Sequence, residues 1–443
     1  MNPFAAELND VIRKENRHVF EMLSSLGREM YFPKGILTQS AEAKVKAKKF
    51  NATLGVATEG GHMMFLPSLM KQLGPLSPDE ALNYAPVAGL AELRAAWKEK
   101  NLHDNPSLAE AARPMSLPIV TNGLTHGLSI MADLFCEPGD TLLLPDQLWG
   151  NYRLTFAVRR GARVAVYPFY SESGGFNVEG FRTALIEAHK TRRKAIVILN
   201  FPNNPTGYSV TKEEAQGTAR ALRGAADAGL DIVAIVDDAY FGLFYEPDVM
   251  RESLFTLLAG GPERLLAVKC DAATKEVFVW GLRVGFLSFS AGRAAADSAL
   301  YAALEKKVCG EIRGVLSNCS MLSQRATLNA LLSPTFYAER QERQETLRAR
   351  AEEAHRVLAD KRFDAAWEPH RFNSGYFLCL KLARVTAEAL RRHLLEQYGI
   401  GTIATAERDL RIAFSCVEKE QIAELFDTIY RAAEEVRTMN EEG

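Results

Sequence analysis

Lys275 and Arg283 stand eight residues apart in the stretch CDAATKEVFVWGLRVGF, residues 270–286. An apolar run, LLAVK, leads into it and a second, VGFLSFS, leads out. A lysine just past a buried strand is poised for chemistry. Desolvation and neighbouring cations lower its pKa, and the neutral amine can then attack a carbonyl carbon to form a Schiff base. Arg283 offers a fixed fork of donors suited to a phosphate. The pair alone says little, because lysines and arginines near strand ends are commonly surface residues. The elements around them have to carry the argument.

From residue 117 a regular alternation begins. Apolar runs of four to seven residues occur at 117–120, 141–145, 163–168, 195–200, 231–236, 265–269 and 284–290. Most are separated by helix-like stretches such as THGLSIMADLF and VEGFRTALIEAHK. Short apolar strands alternating with helices predict an α/β fold, a doubly wound and mostly parallel sheet covered on both faces. The last two runs are too close for a helical crossover, so one of them is expected to run antiparallel. Residues 4–30 read as a helix from Phe4, Leu8, Val11, Ile12, Val19, Phe20, Met22 and Leu23. A break at YFPKG, a helical stretch at 41–50 and a short strand within 51–57 follow. After 293 the pattern turns to long helices with strands at 372–382, GTIATA and DLRIAFS, which is α+β in character. The expected division is an N-terminal segment 1–58 packing with a small C-terminal domain 321–443, and a large domain 59–320.

In such a sheet, ligands bind beyond the carboxyl ends of the strands. Gly123, Leu124 and Thr125 follow the first run and open a helix whose free N–H groups suit an anion. Trp149 follows the second, Asn204 lies in FPNNPTG, and Asp237 and Tyr240 follow the fifth run. Each also has a structural reading: a rim tryptophan, an ordinary turn, a helix cap, a packed phenol. Together they offer a phosphate cradle, a flat aromatic, an amide, a carboxylate with a phenol, and an amine. That set could hold a planar phosphorylated pyridine aldehyde, with the protein tuning a cofactor that carries the hard chemistry.

The composition is that of an ordinary globular chain. Its 443 residues carry a net charge of −2 and no long block of like charges, which argues against a nucleic-acid partner. No apolar stretch is long enough to suggest a membrane span, and the N-terminal stretch shows no apolar signal core. Six scattered cysteines without a CxxC pair read as reduced thiols of a cytoplasmic protein. HExxH, His/Cys clusters and a Walker loop are missing, so no metal is expected.

The chain resembles the pyridoxal-phosphate-dependent aminotransferases of class I/II, the aspartate aminotransferase superfamily of fold type I. The matching stretches are NYAPVAGL, TNGLTHGL, LWGNY, NFPNNPTG, VDDAYFG, TKEVFVWGLRVGF and LRIAFS, in family order from about residue 50 to 425. The resemblance implies pyridoxal 5′-phosphate as cofactor and a homodimer with shared active sites. It also implies an amino acid:2-oxoacid aminotransferase working by ping-pong half-reactions, with a Schiff base on Lys275. Asp237 matches the partner of the pyridine nitrogen, and Asn204 and Tyr240 the ligands of the ring hydroxyl. Trp149 matches the stacking aromatic. Thr125 and Arg283 match phosphate contacts, with the backbone of Gly123 and Leu124 beside them. Tyr84 matches a tyrosine reaching the neighbouring subunit's phosphate, and Arg411 the arginine for the substrate α-carboxylate. Arg313 matches an arginine that crosses the dimer to a side-chain carboxylate, which points to aspartate and glutamate and leaves aromatic amino acids open. Two positions depart from the pattern. Ala272 replaces a usual serine, and His126 stands beside Thr125. A C–S lyase or decarboxylase of the same fold is the alternative enzyme, and a non-enzymatic sensor domain the alternative class. A nicotinamide dehydrogenase is disfavoured because TNGLTHG lacks the GxGxxG turn.

Overall fold

The computed structural model describes every residue except 1, 16–22, 24, 30–35, 72–73, 75, 111–112, 293–297 and 443. Its centre is a seven-stranded sheet built from β1 (Ile119–Thr121), β2 (Thr141–Pro145), β3 (Arg163–Tyr167), β4 (Lys194–Asn200), β5 (Asp231–Asp237), β6 (Leu265–Ala272) and β7 (Gly285–Ala291). In space the order is β1-β7-β6-β5-β4-β2-β3. The inner strands are apolar runs rather than alternations because both of their faces are covered. All of KAIVILN in β4 except Lys194 is buried. Helices Leu124–Phe135, Val178–Thr191 and Lys212–Asp227 supply crossovers. The last of these starts with a reciprocal cap, Thr211 to the Glu214 N–H and Glu214 back to Thr211.

One strand is reversed. β7 pairs antiparallel with both β1 and β6. Between β6 and β7 the chain holds only the single turn Ala273–Glu276 and the short 3-10 turn Trp280–Leu282. Neither is long enough for the crossover that a parallel neighbour needs. Lys275 sits in that first turn.

A second sheet is antiparallel, with β8 (Trp367–Pro369), β9 (Phe377–Leu382), β10 (Ile403–Ala404) and β11 (Asp409–Ala413) in the order β8-β9-β11-β10. Phe50–Asn51 pairs in parallel with Ile400–Gly401, and the Gln39 amide bonds both the N–H and the C=O of Ala404. The N-terminal segment is therefore stitched to C-terminal elements. The described part of 4–30 holds helices Pro3–Glu15 and Ser25–Glu29 with a bend at Leu23, while Val19, Phe20, Met22 and YFPKG lie outside the described residues. The helix expected at 41–50 spans Ile36–Lys46. Of residues 51–57 only Asn51 is in a strand.

The two sheets meet at the turn FPNNPTG. The Gly207 carbonyl accepts the N–H groups of Asn373 and Ser374 and the Ser374 hydroxyl at 2.9–3.0 Å. Gly207 has φ +72°, and a Cβ there would collide with the Phe377 carbonyl. Gly207→Ala is therefore expected to lower the thermal unfolding midpoint clearly, at a cost of at least about 1–3 kcal/mol of backbone strain. Differential scanning calorimetry of the pure variant checks this.

Candidate active site

Strands β4, β5 and β6 run in register, so Asn200, Asp237 and Cys270 lie side by side at their carboxyl ends. Just beyond them opens a cavity of about 280 Å³. Thr125, Trp149, Asn204, Asp237, Tyr240, Lys275, Arg283 and Arg411 all line it. The structure brings these eight sequence-derived candidates together from six separate segments.

Asp237 is the most demanding of them, being 1 % exposed. Burial pushes its carboxyl up to about 6, against three groups that favour the charge: the Tyr152 hydroxyl, the Ala239 N–H and Lys275. Tyr152 donates to Oδ2 at 2.6 Å and the Ala239 N–H to Oδ1 at 3.0 Å. Asn200 also donates to Oδ1, at 3.3 Å, and to the Asp237 carbonyl at 3.1 Å, while its own Oδ1 accepts the Asn204 N–H. Asn200 thus sets both the carboxylate and the Asn204 loop.

Lys275 lies 4.5 Å from the centre of the Tyr240 ring. It lines the cavity. Burial lowers its pKa to about 8, opposed by Asp237 and assisted by Arg283. Arg411 is buried. It donates to Asn204 Oδ1 at 3.0 Å and to the Thr53 carbonyl at 2.9 Å, and its guanidinium lies 4.2 Å from the Phe377 ring centre. Arg411 Nε finds no partner among the described residues, so the cation has donor capacity left over.

The anion cradle rests on close approach. Gly123 has φ +77°, and a Cβ there would strike the Arg283 guanidinium. A Cβ on Gly285 would strike Gly123 and Leu124 in turn. Arg283 is itself in the left-handed region, φ +56°, and is held by the Trp280 carbonyl at 3.2 Å. Non-glycine residues rarely sit there. Ala272 lines the cavity without a hydroxyl, but Thr274 lines it too, beside Lys275. His126 has a local role: its Nδ1 accepts the Asn122 N–H at 3.1 Å and staples the loop before the helix. Burial lowers its pKa, which favours this neutral, accepting form.

Two candidates are not brought to the cavity within one chain. Tyr84 is 85 % exposed, and Arg313 is exposed, donating to the Ser317 hydroxyl at 2.7 Å. Tyr152 and Asn200 were not singled out by the sequence reading. A signal for each existed. Tyr152 is three residues after Trp149, on one helical face, and Asn200 ends the strand next to that of Asp237.

A doubly wound sheet with lysine, carboxylate and arginine at its strand ends defines a fold-type I pyridoxal-phosphate enzyme. Residues 55–429 match the model of the family Aminotransferase class I and II, and the chain belongs to that family. It is similar to an aspartate aminotransferase of Streptomyces avermitilis, 28 % identical over 256 residues, which are 56 % of this chain and 58 % of the relative. It is also similar to an aspartate/prephenate aminotransferase of Thermus thermophilus, 29 % identical over 203 residues, 46 % of this chain and 47 % of the relative. The chain thus spans about half the length of these curated relatives. An aminotransferase structure from Anaerococcus prevotii superposes with TM-score 0.81 at 22 % identity, covering 93 % of this chain and 99 % of that one, which shows a shared fold.

The family's cofactor is pyridoxal 5′-phosphate. The residues present fit it. The buried Asp237 carboxylate, Lys275 and Arg283 all line the cavity, and the Arg283 guanidinium approaches the Gly123 backbone where any Cβ would intrude. The lysine makes a pH-dependent outcome available. A group with pKa about 8 is half neutral at pH 8, whereas an ordinary lysine is neutral only to about 0.3 %. Cofactor uptake by cofactor-free protein, followed by absorbance, is expected to accelerate with rising pH and level off above a midpoint near 8. Lys275→Arg is expected to yield no borohydride-fixed cofactor at any pH.

Proposed function

We propose that the chain is an amino acid:2-oxoacid aminotransferase with aspartate or glutamate as amino donor. The observation that carries this is the grouping of Lys275, Asp237 and Arg411 on one cavity. Pyridoxal 5′-phosphate, when bound, supplies a carbonyl carbon for the amino group and a conjugated ring that takes up the electrons released at the substrate Cα. Asp237 would keep the ring nitrogen protonated, and that cation would offset the cost of burying the carboxylate. Asn204 and Tyr240 would bond the ring hydroxyl, and Trp149 would cover the ring. Thr125, Arg283, Thr274 and the N–H groups after Gly123 would hold the phosphate. Lys275 Nζ would hold the cofactor through its carbonyl carbon and is the amine placed to move the proton at the substrate Cα. Its lowered pKa favours the neutral amine that this transfer needs.

Arg411 takes the substrate α-carboxylate with its free donor. Among the described residues, Lys275, Arg283 and Arg411 are the cations lining the cavity, and each has a task. A second substrate carboxylate calls for a further cation. Arg313 of a second copy, reaching across a homodimer, fills that need. The exposed apolar side chains Leu82, Tyr84, Val315 and Leu322 support such an interface, with Tyr84 reaching the neighbouring phosphate. The names of the aspartate and aspartate/prephenate relatives support a dicarboxylic substrate. No helix among the described residues is long and apolar enough to cross a membrane. With all six cysteines free, we assign the protein to the cytoplasm.

The test is a half-reaction screen, in which single amino acids are mixed with the loaded enzyme and the cofactor absorbance is followed. Aspartate and glutamate are expected to bleach it stoichiometrically, and Lys275→Ala to abolish turnover while leaving the fold. Release of a β-eliminated or decarboxylated product instead would overturn the reading. Arg313→Ala is expected to reduce kcat/KM for aspartate about ten- to a hundredfold, the weight of one charge-assisted contact of about 1.5–3 kcal/mol, with neutral donors little changed.

A further inference from the structure

Each of the two groups most central to the site is followed directly by a carboxylate that turns the other way. Asp238 follows Asp237, and Glu276 follows Lys275. The two carboxylates enter two buried ion clusters that meet on helix Ala91–Asp104, where Lys100 lies over the Trp97 ring. Asp238 accepts from Lys269 Nζ at 2.7 Å and from the Ser253 hydroxyl at 2.6 Å. Lys269 also reaches Asp271 at 2.8 Å, and Asp271 accepts the indole N–H of Trp97 at 3.0 Å. Glu276 is paired with Lys100. Lys100 reaches Asp104 at 2.9 Å, which in turn takes both Nη atoms of Arg340 at 2.7–2.8 Å. Trp97, Lys100 and Asp104 are successive turns of one face of helix Ala91–Asp104.

These groups are out of water. The side chains of Lys269 and Asp271 are 0 % exposed, Glu276 and Asp238 1 %, and Lys100 2 %. Burial pushes Glu276 up to about 7, and Lys100 and Lys269 hold it down. Burial disfavours both lysines as cations, yet the surrounding carboxylates raise them above the usual value. Well-packed apolar side chains in place of such a network are often neutral or stabilising. Stability alone is therefore a weak reason for it.

What the network touches is more specific. The turn Ala273–Glu276 is one turn long, and its N-cap, Ala272, offers no side-chain cap. Its last residue is an acid, which opposes the helix dipole and draws no help from it. The Lys100 pair is what anchors that end. The same helix fixes Asp271, two residues before the turn, through Trp97, whose ring also stacks on Phe286 at 4.1 Å.

Resting on the aminotransferase reading, we propose that Lys100 and Glu276, with Lys269 behind them, are positioning residues for amino transfer. They lock the turn carrying Lys275 and the strand end carrying Asp237 onto helix Ala91–Asp104. The amine has to meet the substrate Cα at close range, and a misplacement of about 1 Å costs on the order of a hundredfold in rate.

The test compares Glu276→Gln, Lys100→Met and Lys100→Arg with wild type, all loaded with pyridoxal 5′-phosphate and assayed with L-glutamate. Measured are kcat, KM, the induced circular dichroism of the bound cofactor, and the thermal midpoint. Glu276→Gln is expected to lower kcat about 10- to 100-fold, with KM changed less than about threefold, and to weaken the dichroism. Lys100→Met is expected to do the same, and Lys100→Arg to recover most of the loss. Wild-type kcat and dichroism in Glu276→Gln overturn the proposal, even if the thermal midpoint falls. If Lys100→Met does not fold, Glu276→Gln and Lys100→Arg decide on the same criteria. If wild type transfers no amino group, the functional reading fails, and the dichroism alone decides the positioning role. A weakened signal in Glu276→Gln supports it, and an unchanged one overturns it.

Discussion

A carboxylate held out of water at the end of a parallel strand is the constraint around which this structure is arranged. Among the described residues Asp237 has no counter-ion in direct contact, and it takes hydrogen bonds from Tyr152, Asn200 and the Ala239 N–H. Burial raises its pKa even so. An ordinary core would avoid such a group, because desolvating a charge costs several kcal/mol. Its presence makes sense when a cationic ring nitrogen is to be placed against it. Lys275 is the mirror image, an amine whose burial lowers its pKa. Both groups project from the carboxyl edge of the sheet, where strand register aligns Asp237 with Asn200 and Cys270.

Arg411 closes the site from the other side. It lies on β11 of the small sheet, bonds the Thr53 carbonyl of the N-terminal segment, and bonds Asn204 of the turn after β4. One guanidinium thus joins three parts of the chain around the cavity. Five donors in a planar fork allow this and still leave donor capacity unused. The Gly207 turn carries the same junction through the backbone.

Much of this was legible in the residues. The apolar runs located all seven central strands, and the short span between β6 and β7 foretold the reversed strand. Eight candidate side chains line the cavity because a doubly wound sheet brings strand ends together. The N-terminal region was less legible. Its apolar spacing suggested one helix over 4–30, whereas Leu23 is a bend before Ser25–Glu29, since period alone does not mark such a break. Tyr84 and Arg313 were read through the resemblance, and within one chain both stay at the surface.

The sequence by itself determined the fold class, the order of elements and the chemical types gathered at the sheet edge. These follow from periodicity and from residues near one another in the chain. Only the tertiary structure decided which partners each group has. Tyr152 bonds Asp237 across 85 residues, Lys100 meets Glu276 across 176, and Arg411 reaches Thr53 across 358. Desolvation and hydrogen bonding, which set the charge states here, depend on what packs around a group in space, and no local pattern encodes that.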